Sequence, residues 1–265
     1  MLIILHRKNH LKFKYYFLTI LLSIFLITPL NAQTNRNYSN EFMNIGVDAA
    51  SLGMGGAVVA STKDINSGYW NPAGLVNLQD SAVALMYSNY FANIANYNYI
   101  AFAMPLDNRT AIGISMIRFG VDDILDTTKL IDQQGNINYD RINLFSAADY
   151  GFMLSYARKL QISGLNYGVN AKIIRRIIGD FASSWGFGLD LGIQFESNDW
   201  KFGLMARDIT TTFNSWTFND GRLQDIQNAI PGQNQEEPEA TELTLPKLQL
   251  GIAKTFTFDY DYSLK

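Results

Sequence analysis

Along the segment SWGFGLDLGIQFE, large apolar residues and small or polar ones alternate without a break. Trp185, Phe187, Leu189, Leu191, Ile193 and Phe195 share one face, and Gly186, Gly188, Asp190, Gly192, Gln194 and Glu196 share the other. In LNYGVNAKIIRR, Leu165, Tyr167, Val169, Ala171 and Ile173 oppose Asn166, Gly168, Asn170 and Lys172. In GFMLSYARK, Phe152, Leu154 and Tyr156 oppose Gly151, Met153, Ser155 and Ala157. A period of two marks β-strands. Runs this long exceed the roughly five or six residues of strands in soluble proteins and match the ~9–11 of a tilted membrane-spanning strand. The pattern predicts an all-β chain, a transmembrane antiparallel β-barrel.

Eight such segments are expected, over 81–91, 97–105, 109–119, 148–158, 164–176, 184–196, 199–207 and 245–258. The joins at 106–108, 159–163 and 197–198 are tight, and 259–261 reads as a further turn. Those at 120–147 and 208–244 are long and polar. Short turns on one side and longer loops on the other, alternating by parity, are the habit of outer-membrane barrels. Tyr90, Phe91, Tyr97, Tyr99, Trp185 and Trp200 lie near strand ends and are expected to form interfacial girdles.

The first residues concern the compartment. Arg7, Lys8, Lys12 and Lys14 precede an apolar run from Tyr16 to Leu30, and Leu30-Asn31-Ala32 reads as a cleavage site. This predicts a secretory signal over residues 1–32, because the apolar run is shorter than the ~20 residues of a membrane helix. Its removal takes both histidines, His6 and His10, and leaves 17 basic residues against 24 acidic, a formal net charge of −7. The chain has no cysteine. Without Cys and His, Ser-His-Asp and Cys-His catalysis and the usual zinc sites are excluded. Asp122, Asp123 and Asp126 cluster in an outer loop but lack the Gly and Glu of a calcium loop. The expectation is no enzyme, no cofactor, no metal and no nucleic-acid partner, since no basic patch appears.

Residues 33–80 fit neither a strand nor an ordinary helix. The stretch SLGMGGAVVASTKDINSGYWNPAGL is rich in Gly and Ala and ends in Trp70-Asn71-Pro72-Ala73-Gly74, a turn in which Asn caps and Pro fixes φ. Small residues permit close backbone approach, as a segment folded inside a lumen requires. An eight-stranded barrel fills its bore with side chains and has no room for such a segment. Tyr262 to Lys265 also look like the start of a ninth strand, so C-terminal strands are expected to be missing.

Residues 42–75, FMNIGVDAASLGMGGAVVASTKDINSGYWNPAGL, resemble the N-terminal signature of the PorV/PorQ branch of the FadL-like fatty-acid transporter superfamily. The matching positions are Ile45, Gly46, Ala50, Leu52 to Ala57, Asp64 and Tyr69 to Leu75. RDITTTFNSW, residues 207–216, resembles a recurring loop of the same branch. The resemblance implies a barrel of about fourteen strands, of which about eight are present here, plugged by an N-terminal hatch. Gly53, Gly55, Gly56, Asp64, Trp70, Asn71, Pro72, Ala73 and Gly74 would be its motif residues. It also implies an outer-membrane component of type IX protein secretion, surrounded by outer-membrane lipid. Such a component would bind secreted cargo or secretion-system subunits through the loops at 120–147 and 219–240. The alternative is a transporter of long-chain fatty acids or other hydrophobic ligands. Inward Gly, Asn, Asp, Lys and Gln, with Met153 among the few apolar positions, suit either.

Overall fold

The computed structural model describes residues 39–131, 134–229, 239–257 and 263–264. The expected signal at 1–32, the turn at 259–261 and most of the acidic stretch near 230–238 lie outside the described residues. The strands are β1 (Ala82–Tyr90), β2 (Ala95–Asp107), β3 (Thr110–Asp126), β4 (Asn143–Lys159), β5 (Leu165–Ile178), β6 (Ala182–Ser197), β7 (Trp200–Arg207), β8 (Thr212–Phe218), β9 (Thr241–Thr244) and β10 (Lys247–Lys254). They form one antiparallel sheet, partly closed on itself, in which β1 to β7 follow chain order and β10 adds beside β7. Two-residue strands β11 (Phe256–Thr257) and β12 (Ser263–Leu264) pair with each other. Among the described residues no helix is long and apolar enough to cross a membrane.

The alternation read from the sequence sorts the two faces. On β6, Ser184, Gly186, Gly188, Asp190, Gly192 and Gln194 are buried, while Trp185, Phe187 and Leu189 are among the large exposed apolar residues. On β5, Gly168, Asn170, Lys172 and Ile174 point inward, and Val169 and Ile173 point outward. The exposed apolar set continues around the sheet through Leu85, Phe102, Ile114, Leu154, Phe202 and Leu250. A predominantly apolar outer face over a covered inner one is the inside-out pattern of a membrane barrel.

Two expectations need correction. Tyr97 and Tyr99 are not girdle residues. They sit at 0% and 3% exposure on the inner face of β2, in step with Ala95, Ala101 and Ala103, because their odd positions point away from the exposed apolar face. Phe91, Trp185 and Trp200 are exposed, as a girdle requires. The inner face is therefore not uniformly polar: along β2 and β3 it is aromatic and aliphatic. The second correction concerns 208–244, expected as one loop. β8 pairs with the outer half of β6 through Ala182–Phe187, and β7 pairs with the inner half through Leu191–Ser197. The seventh strand is thus broken at 208–211, where Asp208 and Thr211 adopt φ of 56° and 58°. The eighth is broken at Leu245-Pro246, since proline has no N–H for the ladder. Short polar pieces such as TFNSWTF are hard to separate from loop by periodicity.

Leu189 lies near the middle of β6 on the outer face, so Leu189→Arg is expected to cost about 2–4 kcal/mol. Urea unfolding in phospholipid vesicles measures it, and a cost below that of ordinary surface substitutions would remove the lipid-facing assignment.

Candidate functional site

The segment before β1 folds through local side-chain-to-backbone bonds. Asp48 opens helix α1 (Ala49–Gly53) by accepting from the Ser51 N–H at 2.9 Å and its hydroxyl at 2.8 Å. Gly55 and Gly56 then turn the chain at φ of +64° and +74°, a region that disfavours other residues. Asp64 Oδ1 accepts from the Asn66 N–H at 2.9 Å at the entry to helix α2 (Ser67–Trp70). The Trp70 ring covers Gly56, with Nε1 donating to the Val47 carbonyl at 3.1 Å, and Tyr69 donates to the Met43 carbonyl at 2.7 Å. Gly53 ends α1 in open space, and nothing in the structure requires glycine there.

Asn71 anchors this segment. It is fully buried, caps the 3-10 turn Pro72–Asn77 by accepting from the Ala73 N–H at 3.2 Å, and shares its amide hydrogens among three carbonyls. Those are Val59 at 2.9 Å, Ile193 at 3.1 Å and Leu204 at 3.4 Å. Ile193 and Leu204 face each other across β6 and β7, so the side chain fastens the segment to that seam. Gln194 adds bonds from its amide to the carbonyls of Val59 at 3.1 Å and Thr62 at 2.9 Å. The approach depends on wall glycines. A Cβ on Gly192 would lie 2.1 Å from Asn71 Oδ1, one on Gly168 2.4 Å from Pro72, and one on Gly203 2.5 Å from the Val59 carbonyl. Gly74 has the same role within the segment, 2.4 Å from the Thr62 carbonyl. The turn expected at 70–74 is therefore a cap seated on a glycine-floored wall.

Above this seat lies a buried charge cluster that sequence reading had classed only as inward polar residues. Lys172 bridges Asp190 at 2.7 Å and Asp208, all three nearly inaccessible to solvent. The Asp208 N–H donates to Asp190 Oδ1 at 2.9 Å, and Asn170 donates to the Gly68 carbonyl at 2.8 Å. Arg207 stacks over Tyr69 at 4.7 Å and donates to the carbonyls of Tyr69 at 3.0 Å and Met43 at 3.3 Å. The signal was available: Asn170 faces Asp190 in register, so Lys172 is its diagonal neighbour, within reach of a long side chain. The cluster ties the strand break at 208–211 to the wall. A small cavity of about 10 Å³ lies beside it, lined by Met43, Tyr69, Lys172, Asp190 and Arg207.

The loops expected as contact surfaces converge at the opposite end from Asn71. Helix α3 (Asp220–Ala229) follows β8, and its Arg222 pairs with Asp126 at the tip of β3 and with Asp180 at 3.2 Å. The guanidinium also lies 4.2 Å from the Phe181 ring, which packs edge-on against Phe145. Of the acidic loop residues, Asp122 pairs with Arg118 at 3.2 Å and Asp126 accepts from Thr128. Among the described residues no group of Asp and Glu is arranged to hold a metal. Partial desolvation raises the Asp126 carboxyl, but the Thr128 hydroxyl and amide and the Arg222 guanidinium outweigh it and hold it below the usual carboxylate range.

Asn71→Ala strands buried carbonyls and removes the cap, so a loss of about 1–3 kcal/mol is expected, read by urea unfolding in vesicles and by protease access to residues 39–80. Gly192→Val should do the same by overpacking, at about 1–3 kcal/mol. The Asp126 contribution has a depressed folded pKa, so it is complete above the ordinary carboxylate pKa and lost as pH falls through the folded one. Amide protection factors in α3 should therefore fall on acidification below about pH 4, and Asp126→Asn should abolish that step.

No curated protein matches the chain. A family model described as type IX secretion system protein PorV matches residues 31–262. That span takes in the capped segment, every strand of the main sheet and both strand breaks, and the chain belongs to the PorV family of type IX secretion system proteins.

Proposed function

We propose that this chain is an outer-membrane barrel of the type IX secretion apparatus, exported on residues 1–32, with residues 33–80 as a plug inside the barrel. In this reading it binds secreted cargo, or translocation and attachment subunits, through its outer loops, and it catalyses no reaction. The observation that carries the proposal is the tied loop end. Arg222, Asp126, Asp180 and Phe181 join three separate connections into one ordered surface, as a docking platform needs. An apolar outer face that meets lipid and an inner face occupied by the segment supply the rest of the reading. Gly55, Gly56, Asp64, Trp70, Asn71, Pro72, Ala73 and Gly74 would then hold the plug in shape and in place, while Gly53 has no such role.

The test is mild-detergent purification of the tagged protein from outer membranes, with partners identified by mass spectrometry and bound lipid assayed on the same sample. Recovery of secreted proteins or translocon subunits, reduced by Arg222→Ala, is the expected result. Stoichiometric fatty acid with no protein partner would replace the proposal with transport of hydrophobic solutes.

A further inference from the structure

The plug segment contacts two kinds of wall. On one side, hydrogen bonds run to every strand from β5 to β10. Asn170 of β5 reaches Gly68, Gln194 of β6 reaches Val59 and Thr62, and Arg207 of β7 reaches Met43 and Tyr69. Asn214 of β8 donates to Ser39 at 2.6 Å and to Asn40 at 2.8 Å, and Asn40 donates to Thr244 of β9 at 2.8 Å. Lys247 of β10 pairs with Glu41 at 3.2 Å. On the other side, among the described residues, no hydrogen bond or ion pair joins residues 39–80 to β1, β2, β3 or β4. There the contact is apolar, with Phe42, Val47, Ile65, Trp70 and Leu75 in one cluster with Tyr97, Tyr99, Ala101 and Ile117.

That second wall also carries unmet polar groups. The hydroxyls of Tyr97, Tyr99 and Ser115 are buried with no partner. They are neighbours, since Ala101 faces Ser115 and Tyr99 faces Ile117 across β2 and β3. An unbonded buried hydroxyl carries a desolvation penalty that water would relieve. On the anchored wall the orphaned atoms of Asn170, Arg207 and Asn214 belong to side chains already bonded to the segment through another atom, and Ser184, Trp216 and Gln249 carry orphaned atoms as well, so the walls differ in their hydrogen bonds to the segment rather than in their orphaned groups.

We infer that the plug is hinged on β5 to β10 and separates from the β2–β3 wall, opening a crevice along Tyr97, Tyr99, Ala101 and Ser115. The inference rests on the plug reading of residues 39–80 and not on the assignment to secretion. Separation there breaks no hydrogen bond and hydrates three hydroxyls, against the loss of apolar contact. Separation from the opposite wall would break the bonds of Asn71, Gln194 and Arg207 together and expose the Lys172 cluster. The easier motion is set by which wall holds polar bonds.

The chain has no cysteine, so introduced thiols report alone. Ala101→Cys places a thiol on the β2 wall at 3% exposure, and Ile174→Cys places one on the β5 wall at 1%. In outer-membrane vesicles, Ala101→Cys should react with a small maleimide about tenfold faster than Ile174→Cys, as a local opening confined to one wall requires. Equal slow labelling of both thiols, or faster labelling of Ile174→Cys, overturns the hinge while leaving the plug. Equal fast labelling of both overturns the plug reading itself.

Discussion

Close approach of one backbone to another is the constraint from which the interior follows. Val59, Ala60, Asn71 and Pro72 lie against strands whose facing residues are Gly168, Gly192, Gly203 and Gly251, where a Cβ would meet backbone or side-chain atoms at 3.0 Å or less. Glycine weakens a strand by about 0.5–1 kcal/mol relative to alanine, and here the loss is offset by the bonds that proximity permits. Gly168 pairs with Gly192, and Gly203 pairs with Gly251, so the glycines form a floor rather than scattered gaps. On that floor the Asn71 amide comes within reach of carbonyls from two strands and from its own segment.

The same proximity sets the energetics of the buried charges. Lys172 and Arg207 are balanced by Asp190 and Asp208, and each is bonded in the interior. Removing one partner of a buried pair leaves an uncompensated charge and costs about 3–5 kcal/mol, whereas the pair as a whole adds little net stability. Its effect is specificity of position: the cluster holds the break between β7 and β8 at one height. That break lets β8 continue along β6 toward the loop end, where α3 and Arg222 bring the outer connections together. The seat of residues 39–80 and the Arg222 cluster are two ends of one wall, β6 with its two partners.

The strands were legible because an exposed apolar face and a covered interior enforce a strict period of two, visible in β5 and β6 down to single residues. The capped turn at Asn71-Pro72 was legible because Asn and Pro have few other uses before a short helix. Tyr97 and Tyr99 were misread because an aromatic near a strand end fits a girdle or a core equally well, and only the register of β2 assigns the face. Residues 208–244 were misread because β8 and β9 are short and polar, stabilised by pairing with β6 and by Ser39 and Asn40 rather than by an apolar stripe.

Alternation, length and the placement of glycine in this sequence determined an antiparallel membrane sheet with a compact segment before it, since those patterns follow from local geometry and solvent. Which wall that segment bonds to, which charges meet, and where the seventh strand breaks were decided only by tertiary structure. The choice of wall depends on residues more than a hundred positions apart, such as Asn71 with Ile193 and Leu204 or Arg207 with Met43, and the charge cluster and the break on residues 18 and 36 apart, all brought together by sheet curvature and register. No local pattern in the chain encodes those distances.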